Sequence, residues 1–394
     1  MLGLAFAAVL MASAAARAEG EIKVGEINSY SALPGFTDPY RKGMELALKE
    51  INDAGGIKGK KLVIISKDDG GKPGEALTAA NELVSRDGVV MIAGGFLSNV
   101  GLALSDFAKQ KKVVYLASEP LTDAIVWSKG NDYTFRLRTS NYMQAAMLAE
   151  EAAKLPAKRW ATIAPNYEFG QSFVAVFKDL LKKRRPDVEF VAEQWPPLNK
   201  IDAGPVLQAI DAAKPEAILN ATFAGDLVKL VREGNTRGVF KDRAVVSYLT
   251  GEPEYLDPLK GETPEGWIVT GYPWYSINTP EHKAFLDAYQ QLNKDYPRLG
   301  SIVGYSTVKS IAAVLNATDD HSTEGLVKAM KNLKVSTPFG EIVYRGADHQ
   351  STLGAFVGKT ALKDGKGVMV DVVFKKGADY LPSEEEAAKM RPAN

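Results

Sequence analysis

The sequence predicts an α/β chain of two doubly wound parallel-sheet lobes, and three observations carry that prediction. Short apolar runs alternate with amphipathic helical stretches from Ile22 onward, the βαβ rhythm of a parallel sheet. The rhythm restarts after Phe135-Arg136-Leu137-Arg138. No Pro/Ser-rich tether separates the halves, so ordinary crossover segments should join them.

The first half reads most clearly over residues 38–71, DPYRKGMELALKEINDAGGIKGKKLVIISKDDGG. Asp38 is expected to cap a helix whose first residue is Pro39. Tyr40, Met44, Ala47, Leu48 and Ile51 recur at helical spacing and give it one apolar stripe. Gly55-Gly56 supplies a left-handed stop. The run at 62–65 is continuously apolar, as for a strand covered on both faces. Further strands are expected at 22–27, 89–93 and 113–116, with helices at 74–84 and 99–109. In the second half strands are expected at 161–164, 190–192, 217–220 and 244–247. Residues 281–333 read as mostly helical. Two late strands, 354–358 and 368–374, are separated by the turn sequence LKDGKG.

The ends and the composition narrow the function. Residues 2–16 are almost wholly apolar and small, and Ala16-Arg17-Ala18 fits a cleavage site before Glu19, so export with cleavage after Ala18 is expected. The absence of cysteine excludes a disulfide framework, thiolate metal ligands and a lipidated cysteine. With 48 basic and 48 acidic residues there is no charge excess to attract nucleic acid. The cluster Lys182-Lys183-Arg184-Arg185 suits the end of a helix, where cations favour the dipole.

No enzyme motif emerges. The three histidines lie in unremarkable settings, and no G-x-S-x-G elbow or G-x-G-x-x-G turn occurs. GGIKGKK follows a helix and lacks the phosphate-loop spacing. Asp68-Asp69, followed by Gly-Gly, reads as a solvated turn and not a metal site. No cofactor is expected.

The strongest chemical signal is Gly94-Gly95-Phe96-Leu97-Ser98-Asn99-Val100, which follows a strand and opens a helix. Such carboxyl ends of parallel strands are where α/β folds bind ligands. Free amides there attract an anion, and the Ser98 hydroxyl adds a donor, although Ser98 could serve only as a cap.

The stretch NDAGGIKGKKL followed by DD resembles the opening of periplasmic solute-binding proteins of the branched-chain amino-acid-binding type. The likeness runs through nearly the whole chain after the leader. It implies lobes of residues 19–138 plus 270–339 and of 139–269 plus 340–394, with crossings near Arg138, Val269 and Phe339. It also implies a ligand cleft between the lobes, a monomer, and an inner-membrane ABC permease with ATPase subunits as partner. Ser98 matches the serine that grips the ligand carboxylate, with Asn99 beside it, and Ser118 in Ala117-Ser118-Glu119-Pro120 matches the second anchor. Phe36, Phe169 and Phe223 match aromatic wall positions. Where the family places an acid for the ligand ammonium, this chain has Leu249, flanked by Tyr248 and Thr250. Glu252 or Glu119 could replace that acid under a shifted register. Around these positions stand the rings of Phe96, Tyr167, Tyr248, Tyr272 and Trp274, about half of which should be core.

An ammonium buried without a carboxylate would cost several kcal/mol. Burying one benzenoid ring, about 100–150 Å², contributes about 3 kcal/mol. The expected ligand is therefore a small carboxylate with an aromatic or other apolar body and no α-amine. A branched-chain or aromatic amino acid is the alternative. A sensor reporting to a receptor, and a flavodoxin-like enzyme, are the readings outside transport.

Overall fold

A computed structural model describes residues 20–392; the expected leader and its cleavage site lie outside them. Strands β1 (Glu21–Asn28), β2 (Lys61–Asp68), β3 (Met91–Gly94), β4 (Val114–Ala117) and β5 (Thr134–Arg136) form one parallel sheet in the order β2-β1-β3-β4-β5. The crossovers are α1 (Pro34–Asp53), α2 (Pro73–Glu82) and α3 (Ser98–Lys111). After α4 (Asn141–Ala152) the second sheet begins with β6 (Arg159–Ile163), α5 (Glu168–Arg184) and β7 (Glu189–Gln194). It continues with α6 (Ala203–Ala212), β8 (Ala217–Asn220), α7 (Ala224–Arg237), β9 (Ala244–Gly251), α8 (Pro253–Leu259) and β10 (Ile268–Gly271).

The chain then returns to the first sheet as α9 (Pro280–Asn293), α10 (Leu299–Ala317) and α11 (Thr323–Met330), followed by the hairpin β11 (Lys334–Thr337) and β12 (Gly340–Val343). A long hairpin, β13 (Ala355–Lys363) and β14 (Lys366–Lys375), completes the second sheet, and α12 (Glu384–Lys389) ends the chain. The second sheet has the order β14-β13-β10-β9-β8-β6-β7, antiparallel only where β13 meets β10 and β14.

Each sheet is wound on both faces, which is why its central strands read as unbroken apolar runs. One face of the first sheet packs Met91, Val114 and Leu116 against Tyr40 and Met44 of α1 and Val308, Ile311 and Leu315 of α10. The other packs Ile92 and Tyr115 against Leu83, Val100 and Leu104.

Three sequence expectations change here. Helix α1 begins at Pro34, so Asp38 is not its cap and Pro39 lies inside it. Pro34 supplies the preset φ for the first turn, and Phe36 stands within that turn instead of before it. Asp69 is fully buried, accepting from Ser29 Oγ at 2.7 Å and the Gly71 amide at 2.7 Å, so only Asp68 is a solvated turn residue. Residues 340–354 stay with the first sheet: Ile342, Tyr344 and Leu353 join its core, and the Ser351 amide donates to the Arg136 carbonyl at 2.9 Å. The third crossing follows Ser351, well beyond Phe339.

Helices α1 and α10 approach backbone to backbone. A Cβ on Gly304 would stand 2.0 Å from the Tyr40 carbonyl oxygen, and one on Gly43 equally close to that of Ser301. Gly304→Ala is therefore expected to force the helices apart and cost about 1–3 kcal/mol, measured by chemical denaturation.

Candidate functional site

The carboxyl ends of β3 and β4 face those of β8 and β9 across the gap between the lobes. From the first lobe, Phe96, Ser98, Glu119 and Leu121 reach a common cavity; Tyr167, Phe169, Phe223, Leu249 and Tyr255 reach it from the second. Arg138, on the first crossing, completes the wall.

Ser98 is the first residue of α3, not its cap, and no side chain caps that helix. Its first amides and the Ser98 hydroxyl therefore remain available to an anion at the positive end of the dipole. The rings meet one another in the present arrangement. Phe36 lies 5.4 Å from Phe96, 5.4 Å from Tyr255 and 6.3 Å from Phe223, joining the lobes. Phe169 packs edge-on against Phe223 at 5.6 Å. The space left is about 20 Å³, room for roughly one water. A ligand ring can enter only if the lobes part or these rings turn.

Arg138 is 6% exposed and donates from Nη1 to Glu119 Oε2 at 2.7 Å and from Nη2 to Glu252 Oε1. Glu119 comes from the loop after β4 and Glu252 from the end of β9, so one guanidinium holds an acid from each lobe. Burial pushes the Glu252 carboxyl up to about 8, with Arg138 only partly opposing it, and raises Glu119 in the same way. Burial also works against the charge of Arg138, but Glu252 and Glu119 outweigh it and keep the guanidinium protonated. Nearby, Glu254 accepts the Gly300 and Leu299 amides at 2.8 and 3.2 Å, docking α8 on the start of α10.

Seven of the twelve residues singled out in the sequence thus meet at one cavity: Phe96, Ser98, Glu119, Tyr167, Phe169, Phe223 and Leu249. Phe36 touches their rings from behind. The other four lie elsewhere. Asn99 is exposed on the outer side of α3. The Ser118 hydroxyl takes hydrogen bonds from Tyr40 at 3.3 Å and Thr307 at 2.9 Å, within the α1–α10 core, so in the loop after β4 it points away from the cleft that Glu119 lines. Tyr248 stacks on Phe173 at 3.9 Å and on Phe169 at 5.4 Å, and its hydroxyl donates to Asn141, so it backs the wall without lining it. Tyr272 bonds to His282 at 2.7 Å and, with Trp274, borders a separate cavity of about 520 Å³ across α8. Sequence reasoning placed Arg138 at a crossing but not in the site, and passed over Leu121 and Tyr255; the position of Arg138 at the junction of the two halves was the signal for the first.

His282 and His349 are buried, and burial lowers both to about 4, leaving neutral rings. Among the described residues no group of three His, Asp or Glu is placed to hold a metal.

A family model described as periplasmic binding protein matches residues 21–366. A similar relative is Leu/Ile/Val-binding protein homolog 8 of Brucella suis biovar 1 (strain 1330), 25% identical, with 99% of this chain and 98% of that protein covered. Among solved structures, a solute-binding protein of an ABC transporter from Rhodopseudomonas palustris BisB5, in complex with 3,4-dihydroxybenzoic acid, has a TM-score of 0.80 at 23% identity, covering 91% of this chain and 98% of that one. The leucine-, isoleucine-, valine-, threonine- and alanine-binding protein from Brucella ovis, in a closed conformation, has 0.79 at 21%, covering 92% and 97%. With the two wound sheets, the cleft between them and a model match over most of its length, the chain belongs to the periplasmic binding protein family, a family of solute binders and not of enzymes.

Proposed function

We propose that this protein is the solute-binding component of an ABC importer. It is exported by the leader ending at Ala18 and closes on a small aromatic or otherwise apolar carboxylate that lacks an α-amine. The observation carrying this reading is that both acids at the cleft, Glu119 and Glu252, are already bonded to Arg138. A ligand ammonium would enter beside that cation, whereas a carboxylate meets Ser98 and the uncapped start of α3. The walls are rings and Leu249, which suit a flat apolar body. The R. palustris neighbour with 3,4-dihydroxybenzoic acid gives the same ligand class on the same fold.

Ligand binding joins the lobes about the three crossings, which serve as the hinge, and the closed form docks on the permease. A second reading, a branched-chain or aromatic amino acid, is favoured by one observation. Two acids against one arginine leave one negative charge to match an ammonium if Glu252 gives up its proton.

A thermal-shift screen against benzoate-type acids, phenylpropanoid acids and amino acids tests the proposal, because a ligand of the folded state raises the melting temperature. Aromatic acids should raise it and leucine should not; the reverse pattern rejects the proposal. Ser98→Ala is expected to weaken binding by about 10- to 100-fold, the worth of a hydrogen bond to a charged group. The radius of gyration from X-ray scattering should fall on saturation; an unchanged radius would count against closure.

A further inference from the structure

We propose that Arg138, Glu119 and Glu252 form a second polar pole of the cleft that reads a hydroxyl on the ligand's ring, so that hydroxylated aromatic acids bind more tightly than the bare acid. This inference rests on the aromatic-acid reading above. Its starting point is an unequal count of partners. Arg138 uses Nη1 and Nη2 on the two acids, and its Nε–H, fully buried, has no partner among the described residues. Glu119 uses one oxygen on Arg138, and its other oxygen makes no hydrogen bond among the described residues and is not sealed from an incoming group. At the cavity the triad therefore offers an unfilled donor on Arg138 and an unfilled acceptor on Glu119, while Glu252 stands outside the lining and holds Arg138.

The chemistry selects a hydroxyl. A carboxylate would meet acids here, whereas the Ser98 hydroxyl and the uncapped first amides of α3 offer it donors. An ammonium offers donors only and would sit against a guanidinium. A phenolic hydroxyl donates to a carboxylate oxygen and accepts from Arg138, filling both kinds of vacancy without adding charge. Burial keeps the Glu252 carboxyl up at about 8, which lowers the net negative charge that an ammonium would need. Sites whose buried polar groups expect a hydroxyl reject the analogue lacking it, because those groups are then left unpaired.

The test is calorimetric titration of the mature chain with benzoate, 4-hydroxybenzoate, 3,4-dihydroxybenzoate and leucine. It is repeated on Glu119→Gln and, as a second variant should the first fold poorly, Glu252→Gln. The expected result is at least about tenfold tighter binding of one hydroxylated acid than of benzoate. That ratio should shrink severalfold in the variants. Equal affinities, or a ratio untouched by both substitutions, would overturn the hydroxyl pole while leaving the aromatic-acid reading in place. Tight leucine binding with no response to any of the three acids would overturn both.

Discussion

Arg138→Ala should lose about 3–5 kcal/mol of stability, the usual result of leaving buried acids without their cation. The loss should grow with pH. Glu252 already titrates at about 8 in the folded chain against an ordinary value of 4.5, and without Arg138 it and Glu119 move higher still. An acid raised in the folded state keeps its proton while the unfolded chain releases its own, so stability falls as pH climbs. Below about pH 4.5 both states are protonated and the variant should approach the parent. The gap opens as pH climbs through the parent's own folded values, raised for Glu119 and about 8 for Glu252, and is widest above them. Melting curves across that range check the sign. The triple replacement Arg138→Met, Glu119→Gln, Glu252→Gln should flatten the dependence and recover most of the stability, since an apolar substitute for buried charges is often neutral. A pH-independent loss in the single variant would mean that the acids find other partners.

Phe173→Ala should cost about 3–5 kcal/mol, the range for removing a fully buried phenylalanine. Its consequence extends to the site. Phe173 stacks on Tyr248, Tyr248 on Phe169, and Phe169 forms the cavity wall. Removing the base of that stack lets Tyr248 and Phe169 tilt, so ligand affinity should fall although Phe173 borders no part of the cavity. Phe169→Ala removes the wall itself and should weaken binding more while costing less stability. Denaturation and titration of both variants separate the two effects. An unchanged affinity in Phe173→Ala would show that the wall stands without its backing.

The layered fold was legible because strands covered on both faces leave unbroken apolar runs: β8 falls at 217–220 as read, and LKDGKG does turn β13 into β14. Where two signals competed, the reading slipped. Pro34 and Pro39 both suit a helix start, and the earlier one starts α1. Strand β5 spans three residues at a crossing, too few for a period to show. In the site, side-chain direction was the missing quantity. Ser118 and Glu119 are adjacent, yet only the second faces the cleft. Tyr248 and Leu249 divide in the same way, and Leu249 does so with φ of 63°, a left-handed conformation that its side chain gives no hint of. The charge triad was hidden for another reason: its members lie 19 and 114 residues apart along the chain and only the fold unites them.

In a crystal structure of the mature protein with a bound benzoate-type acid, the carboxylate should lie on Ser98 and the first amides of α3, with the ring between Phe96, Phe169 and Phe223. An amino acid in that cleft with its ammonium on Glu252 or Glu119, and aromatic acids excluded, would contradict the aromatic-acid reading.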